Sequence, residues 1–183
     1  MSYYTYVIVN PASQNGATGK YWPELRKALD QVLDRWDHEF TLAPGDGARL
    51  AREAAKQDYE MIVSVGGDGS MNEVVSGLFE ANEDGSEPKL IREDLVLAGV
   101  RSGTGGDFAR LFELPHKIPH CVAHLAGTDT SPCDLAWVEF QDHEGSKRGR
   151  AFLNIASFGL SGMVVDKVNR SSKALGGRVS FVA

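Results

Sequence analysis

A glycine-rich stretch, "VSVGGDGSMNEVV" at residues 63–75, joins an apolar run to a segment with helical spacing. Glycine lets the backbone approach a ligand closely, and the unpaired N–H groups at a helix start favour phosphate. Gly66, Gly67 and Gly69 together exceed what one tight turn requires. The stretch therefore predicts a phosphate-binding turn, with an ordinary tight turn as the alternative.

Ser70 and Glu73 in the same stretch admit a structural explanation. They fit the S-x-x-E capping box, in which the Ser side chain caps the helix start and the Glu side chain reciprocates. We expect the capping box to account for Glu73, although its spacing leaves a role beside the ligand open.

Two other polar segments follow predicted strands, "NPASQNGATGK" at 10–20 and "RSGTGGDFAR" at 101–110. If the strands are parallel, all three loops emerge at one sheet edge and can surround a polyanionic ligand. Segment 10–20 lacks the leading Gly and trailing Ser/Thr of the P-loop, and segment 101–110 lacks the third Gly of G-x-G-x-x-G. The loops therefore predict a phosphate cradle of another kind.

The elements that must position these loops alternate along the chain. Strand-like patterns alternate with helix-like ones, the strands at 3–10, 38–43, 60–65 and 94–100 and the helices at 21–36, 47–57, 71–81 and 107–113. The alternation predicts an α/β fold with right-handed βαβ units, hence an open, mainly parallel sheet with helices on both faces.

The pattern changes after a short predicted helix at 118–127. Segments 133–141 and 149–158 predict two antiparallel strands joined by a polar turn, followed by a helix near 160–174. We therefore predict an α/β domain over 1–128 and the beginning of a β-rich domain over 129–183. The strand-like end of the chain predicts that this second domain is cut short.

Charge and composition exclude some classes of function. A net charge of −6 argues against a general nucleic-acid binder. Residues 145–183 nevertheless carry seven Lys or Arg and one Asp, which suits anionic lipid headgroups or simply balances the acidic remainder. No apolar run of 18 residues and no export signal occurs, so a cytoplasmic location is expected. The basic turn "SKRGR" predicts either a solvated loop or a contact to lipid phosphate.

Two sets of residues carry less functional weight. Three histidines have the i, i+4 spacing of metal ligands, namely His116, His120 and His124. Prolines interrupt this segment, so metal binding is not expected there. Three tryptophans lie in amphipathic or alternating segments, which predicts packing rather than ligand stacking, at Trp22, Trp36 and Trp137.

Four ordered blocks resemble the diacylglycerol kinase catalytic domain family, which includes bacterial lipid kinases, ceramide kinases and sphingosine kinases. "NPASQNG" is similar to its N-P-x-S-G-x-G-like start, and "GGDGSMNEVVSGL" to its G-G-D-G-[ST]-x-x-E-V-x-N-G-L block. "SGTGGDFAR" is similar to its G-T-x-N-D-F-A-R block, and "FLNIASFGLSGMVVDKVN" to its F-x-N-x-x-x-x-G block and the helix that follows.

The resemblance implies an ATP-dependent kinase that phosphorylates a lipid hydroxyl. Its α/β nucleotide domain would be related to those of NAD kinase and phosphofructokinase, and would pack on a β-sandwich lipid domain. ATP and Mg²⁺ would be the cofactors, and the partner a diacylglycerol-like lipid at the inner membrane face, with a homo-oligomer left open. By position, the residues of the ATP site would be Asn10, Pro11, Ala12, Ser13, Gln14, Thr41, Gly66, Gly67, Asp68, Gly69, Ser70, Met71, Asn72, Gly103 and Thr104.

Asp68, Asp107 and Asp134 stand where the family keeps acidic residues near the nucleotide, Mg²⁺ or its water network. Phosphoryl transfer relies on positioning and charge neutralisation, and Mg²⁺ prefers carboxylates, water and phosphate oxygens. In sphingosine kinase relatives the aspartate matching Asp68 is thought to accept the substrate proton, whereas in bacterial relatives a later carboxylate has that role. Asp68 is therefore the first catalytic candidate, with a helix-start turn residue as the alternative.

The chain also departs from the family pattern. Gly106 replaces the usual Asn of the third block, and Gln14 and Asn15 replace the first glycine region, which leaves the nucleotide affinity and the choice of nucleotide open. Because family members continue beyond the point matching Ala183, we expect the chain to bind nucleotide but not to turn over alone. A soluble-substrate kinase of the NAD kinase type and a non-catalytic nucleotide-binding fragment are the alternatives.

Overall fold

The computed structural model describes residues 2–80, 88–101, 110, 112–115, 117–142, 144–153 and 162–163. The chain divides into two compact units, Met1–Leu153 and Asn154–Ala183, and every element named here belongs to the first. The domain boundary near residue 128 stays a prediction. In chain order the elements are β1 (Thr5–Val9), α1 (Ala17–Val32), β2 (Trp36–Phe40), α2 (Asp46–Ala55), β3 (Met61–Gly66), α3 (Asp68–Gly77), β4 (Val96–Arg101), a 3₁₀ helix (His120–Ala126), β5 (Ala136–Gln141) and β6 (Lys147–Phe152).

The first four strands form one parallel sheet in the order β2-β1-β3-β4. From β1 the chain moves to β2 on one side, and β3 then lies on the other side of β1, so the direction of winding reverses between β1 and β3. In open α/β sheets, ligands bind beyond the carboxyl ends of the strands at such a reversal. The topology therefore places a crevice between the loops that follow β1 and β3.

Apolar layers cover both faces of this sheet. One face packs against α1 and the 3₁₀ helix through Val9 and Val65, and the other packs against α2 and α3 through Ile8 and Ile62. Strand β3 is buried at every position, as expected for a central parallel strand covered on both sides. The predicted parallel α/β sheet with helices on both faces is confirmed.

The predicted bounds of the first helix are wrong. The sequence pattern predicts a helix over 21–36, but α1 spans Ala17–Val32 and Trp36 opens β2. In β2 the period is two, because Trp36, His38 and Phe40 share the face that packs beside Trp22, with ring centroids 6.4, 4.9 and 5.3 Å from that indole. The helix therefore ends before the position that the sequence periodicity predicts, because the rings of β2 pack beside Trp22.

The hairpin of β5 and β6 is antiparallel, as predicted. It packs on the C-terminal half of α3, where Ser76 Oγ donates to the Ala151 carbonyl at 3.0 Å and Trp137 lies 5.6 Å from the Phe79 ring. A Cβ at Gly149 would overlap the Trp137 indole, so glycine is required there. The predicted core packing of all three tryptophans is confirmed.

Some predicted elements lie partly or wholly outside the described residues, among them the helices at 107–113 and 160–174. The predicted short helix at 118–127 is the 3₁₀ helix, and its His124 Nε2 lies 3.0 Å from the carbonyl oxygen of Gly99 in β4. Among the described residues, no helix has the length and apolar character needed to cross a membrane.

Candidate functional site

Asn10 holds the loop that follows β1. Its N–H donates to the Val65 carbonyl at 2.9 Å, which extends the pairing of β1 with β3 by one residue. Its side-chain carbonyl accepts from the Ala12 N–H at 3.1 Å, and its side-chain amide donates to Ser70 Oγ at 2.8 Å. Asn10 therefore joins the loop after β1 to the first turn of α3.

The start of α1 is closed by its own loop. Gln14, Asn15 and Gly16 have φ values of 54°, 55° and 85°, so three successive residues adopt the left-handed conformation. The turn lets the N–H groups of Gly16 and Ala17 donate to the carbonyls of Ala12 and Gln14, at 3.1 and 3.2 Å. These amides are therefore used within the loop, and the start of α1 offers fewer of them to a ligand.

The start of α3 is built differently. Its N-cap is Gly67, with no side-chain cap, and Asp68 in the first turn is favoured there by the helix macrodipole. At Gly66 a Cβ would lie only 2.6 Å from Ser70 Cβ, so this glycine permits close packing. At exposed Gly69 a Cβ would meet nothing within 4 Å. The first turn of α3 is thus closely packed at Gly66 and exposed at Gly69.

The predicted capping box at Ser70 and Glu73 is wrong. Because Gly67 is the N-cap, Ser70 falls inside the first turn. Glu73 instead reaches the neighbouring helix, where its Oε1 accepts from the Gly45 N–H at 2.9 Å and its Oε2 from the Gly47 N–H at 3.1 Å. The sheet brings the loops after β1 and β2 close to α3, so Ser70 bonds to Asn10 and Glu73 bonds to Gly45 and Gly47 instead of forming a capping box.

The loop after β2 ends at the same sheet edge. The Thr41 N–H donates to the Val9 carbonyl at 2.9 Å, which places Thr41 beside the end of β1. Asp46 accepts from the Leu42 N–H and from Arg49 Nε, each at 2.8 Å, and these bonds, the Leu42 amide first, lower the pKa of Asp46. Asp46 is therefore bonded within its own loop and helix, while Glu73 accepts the amides at the start of α2.

The predicted nucleotide residues that the structure describes follow three adjacent strands, β2, β1 and β3, at their carboxyl ends. They comprise residues 10–14, Thr41 and residues 66–72. Of the residues named from the sequence, Gly103, Thr104, Gly106, Asp107 and His116 lie outside the described ranges. The convergence predicted for the first two glycine-bearing loops is therefore present in the part of the chain that the structure describes.

The acidic residues are not all placed alike. Asp68 opens α3, whereas exposed Asp134 precedes the hairpin that packs on the C-terminal half of that helix. The described residues contain no group of three His, Cys, Asp or Glu that could hold a metal ion. A Mg²⁺ ion that also takes phosphate oxygens and water needs only one or two carboxylates, so Asp68 at the open helix start fits that requirement.

Two features of this edge were missed from the sequence. Residues 45–47 repeat the Gly-Asp-Gly of residues 67–69 at a second helix start, and the repeat itself was the available signal. Half-buried Arg101 pairs with Gly66 across β3 and β4 and brings a positive charge to the same edge. Its position directly before a glycine-rich segment was the signal in that case.

The basic turn between β5 and β6 is largely neutralised by its own hairpin. Lys147 Nζ lies 2.9 Å from a Glu139 carboxylate oxygen, and Arg148 Nε donates to Asp142 at 2.9 Å. The bond from Arg148 is the largest cause of a lowered pKa of Asp142. These pairs favour the solvated-turn interpretation over a dedicated lipid-phosphate contact.

A family model described as the diacylglycerol kinase catalytic domain matches residues 5–138. A diacylglycerol kinase of Staphylococcus haemolyticus is 29% identical over 153 residues, 84% of this chain and 41% of that protein. One of Bacillus subtilis is 27% identical over 172 residues, 93% and 50% of the two chains. The crystal structure of a diacylglycerol kinase from Bacillus anthracis, 22% identical, shares the fold with a TM-score of 0.61 over 75% of this chain and 48% of that one. The chain thus spans half or less of the length of these proteins.

Proposed function

The chain belongs to the diacylglycerol kinase catalytic domain family, and on that premise we propose that it forms the nucleotide-binding part of an ATP-dependent lipid kinase. The reaction is transfer of the γ-phosphate of ATP to the hydroxyl of a diacylglycerol-like lipid. The observation that carries the proposal is the start of α3, which lies at the strand reversal, has no side-chain cap and is braced by Asn10.

In this proposal the ATP phosphates lie against the first turn of α3. Helix N–H groups and the positive end of the helix dipole favour the anion, and the missing side chains at Gly67 and Gly69 allow it to come close. Asn10 and Thr41 follow β1 and β2 at the same sheet edge. The other nucleotide-binding residues, including Gly103 and Thr104, are predicted from the family pattern.

Asp68 has the chemical role in the proposal. Its carboxylate accepts the proton of the lipid hydroxyl as the hydroxyl oxygen bonds to the γ-phosphorus and the bond to the ADP oxygen breaks. Mg²⁺, when bound, neutralises phosphate charge, and Asp68 is the described residue that would hold it, with Asp107 and Asp134 as further candidates. Arg101 adds a permanent positive charge at the edge where phosphate charge would gather.

The test is a kinase assay with labelled ATP, Mg²⁺ and mixed lipids, using the gene product at its natural length, with thin-layer separation of the products. We expect the label on a lipid, and we expect Asp68→Asn to slow its appearance by about 10²- to 10⁴-fold. Label on a dinucleotide would replace the proposal with an NAD kinase-type activity. Nucleotide binding without any transfer would reduce the protein to a nucleotide-binding module, and a wild-type chain that fails to bind ATP in calorimetry would refute the proposed site.

A further inference from the structure

A carboxylate lies between the starts of α2 and α3, and its bonds assign it a role. We propose that Glu73 is a positioning residue: it fills the N-terminus of α2, fixes the loop at residues 41–47 against α3, and leaves the start of α3 as the place where an anionic ligand binds. The inference rests on the proposed function for the identity of that ligand. Glu73 acts through the loop and does not itself contact the nucleotide.

The contacts of Glu73 define a two-point clamp. Each carboxylate oxygen accepts one backbone N–H, from Gly45 at 2.9 Å and from Gly47 at 3.1 Å. Gly45, with φ of 90°, is the N-cap of α2 in a conformation that favours glycine. At Gly47 a Cβ would lie 3.0 Å from both Glu73 Cβ and Glu73 Oε2, so glycine lets the two helices approach. The geometry therefore suits a carboxylate at this position.

The physical consequence follows from the chemistry of helix starts. Unpaired N–H groups and the helix dipole make any such start an attractive place for phosphate. At α2 the internal carboxylate satisfies these groups with charge-assisted hydrogen bonds, which are stronger than neutral ones. Of the two helix starts, the start of α2 is thereby occupied, and the start of α3 remains for the anionic ligand.

The bonds of Glu73 also fix the position of the loop at residues 41–47 beside the proposed site. The loop is attached to the sheet at Thr41, whose N–H bonds to the Val9 carbonyl, and to α3 at Gly45 and Gly47. Further along, α2 and α3 remain in close contact, since a Cβ at Gly77 would lie 2.8 Å from Ala48 Cα. Loss of the Glu73 carboxylate should therefore loosen the loop while leaving the helix pair packed.

The test compares Glu73→Gln with Glu53→Gln. Gln has the size of Glu but turns an N–H₂ toward one of the two amides, whereas Glu53 is a half-exposed partner of Arg49 on α2, 3.0 Å away and outside the site. For Glu73→Gln we expect the Kd for MgATP, measured by calorimetry on this chain, to rise about 10-fold, the scale of one lost charge-assisted bond. For Glu53→Gln we expect a change below about twofold.

Amide hydrogen exchange of residues 42–47 provides a readout that does not depend on the nucleotide. In the wild type the Gly45 and Gly47 amides should be protected, and Glu73→Gln should speed their exchange while leaving α2 and α3 unchanged. Unprotected wild-type amides would overturn the clamp even if the variant did not fold, and an MgATP affinity of Glu73→Gln equal to that of Glu53→Gln would overturn the positioning role. A wild type that shows protected amides but binds no MgATP would refute the proposed function and leave the clamp standing.

Discussion

Helices α2 and α3 both begin with Gly-Asp-Gly at the same edge of the same sheet, yet they are in different states. At α2 the amides of Gly45 and Gly47 bind Glu73, and Asp46 binds the Leu42 amide and Arg49. At α3 the N-cap has no side-chain cap. Identical tripeptides are therefore a closed helix start in one place and a candidate phosphate site in the other.

The difference arises from neighbours and not from the tripeptide. Glu73 lies about one and a half turns into α3, and its carboxylate accepts hydrogen bonds from the N–H groups at the start of α2. Its own helix start is left to Gly67, which has no side chain to offer. The two glycine-rich helix starts therefore differ in whether a side chain from the neighbouring helix occupies their amides.

The strongest test of this comparison exchanges the matched aspartates. Asp68→Asn should lower the rate of lipid phosphorylation by about 10²- to 10⁴-fold, because it removes the proposed base. Asp46→Asn should lower that rate far less, since Asp46 bonds to its own loop. Initial rates with labelled ATP measure both, and equal losses in the two variants would show that the two helix starts do not differ in function.

A second test removes the brace beneath α3. Gly66→Ala should lower the free energy of unfolding by about 1–3 kcal/mol, because the new Cβ collides with Ser70 and overpacks the turn. The collision also disturbs the bond from Asn10 to Ser70, so ATP affinity should fall as well. Chemical denaturation and calorimetric titration report the two effects. A variant with wild-type stability would contradict the close packing described for this turn.

A third test separates stability from binding at the open position. Gly69→Ala should raise the free energy of unfolding by up to about 1 kcal/mol, because Ala favours helix and the Cβ meets nothing within 4 Å. The same methyl group should weaken ATP binding if the phosphates approach this turn. A higher thermal midpoint together with a weaker ATP affinity would support phosphate binding beside Gly69. An unchanged ATP affinity would show that the phosphates do not approach this residue.

The smallest expected effect is a pH dependence at the closed start. The Leu42 amide and Arg49 lower the pKa of Asp46, so folding favours its ionised form. The contribution to stability is therefore present above the ordinary Asp pKa of about 4 and is lost as pH falls through the lower, folded pKa. Denaturation of the wild type and Asp46→Asn between pH 7 and 3 should show a stability difference that shrinks below that region. A difference constant down to pH 3 would contradict these bonds.

Much of this site could be predicted from the sequence. The strand-helix alternation predicted the parallel sheet, and parallel strands require the loops at 10–16 and 66–70 to share an edge. The resemblance to the diacylglycerol kinase catalytic domain family, based on four ordered blocks, is confirmed. The roles of individual residues stay predictions, as do the nucleotide, Mg²⁺ and the lipid.

The sequence carries local signals, namely periods of two and 3.6 and glycines where the backbone turns sharply. Those signals depend on neighbours along the chain, so they predicted strands, helices and a glycine-rich edge. The tertiary structure decided which side chain meets which helix start, because Glu73 lies 28 residues from Gly45 and Asn10 lies 60 from Ser70. Such pairs form only when the sheet order brings their loops together, and that is why the capping box looked right in the sequence and proved wrong in the fold.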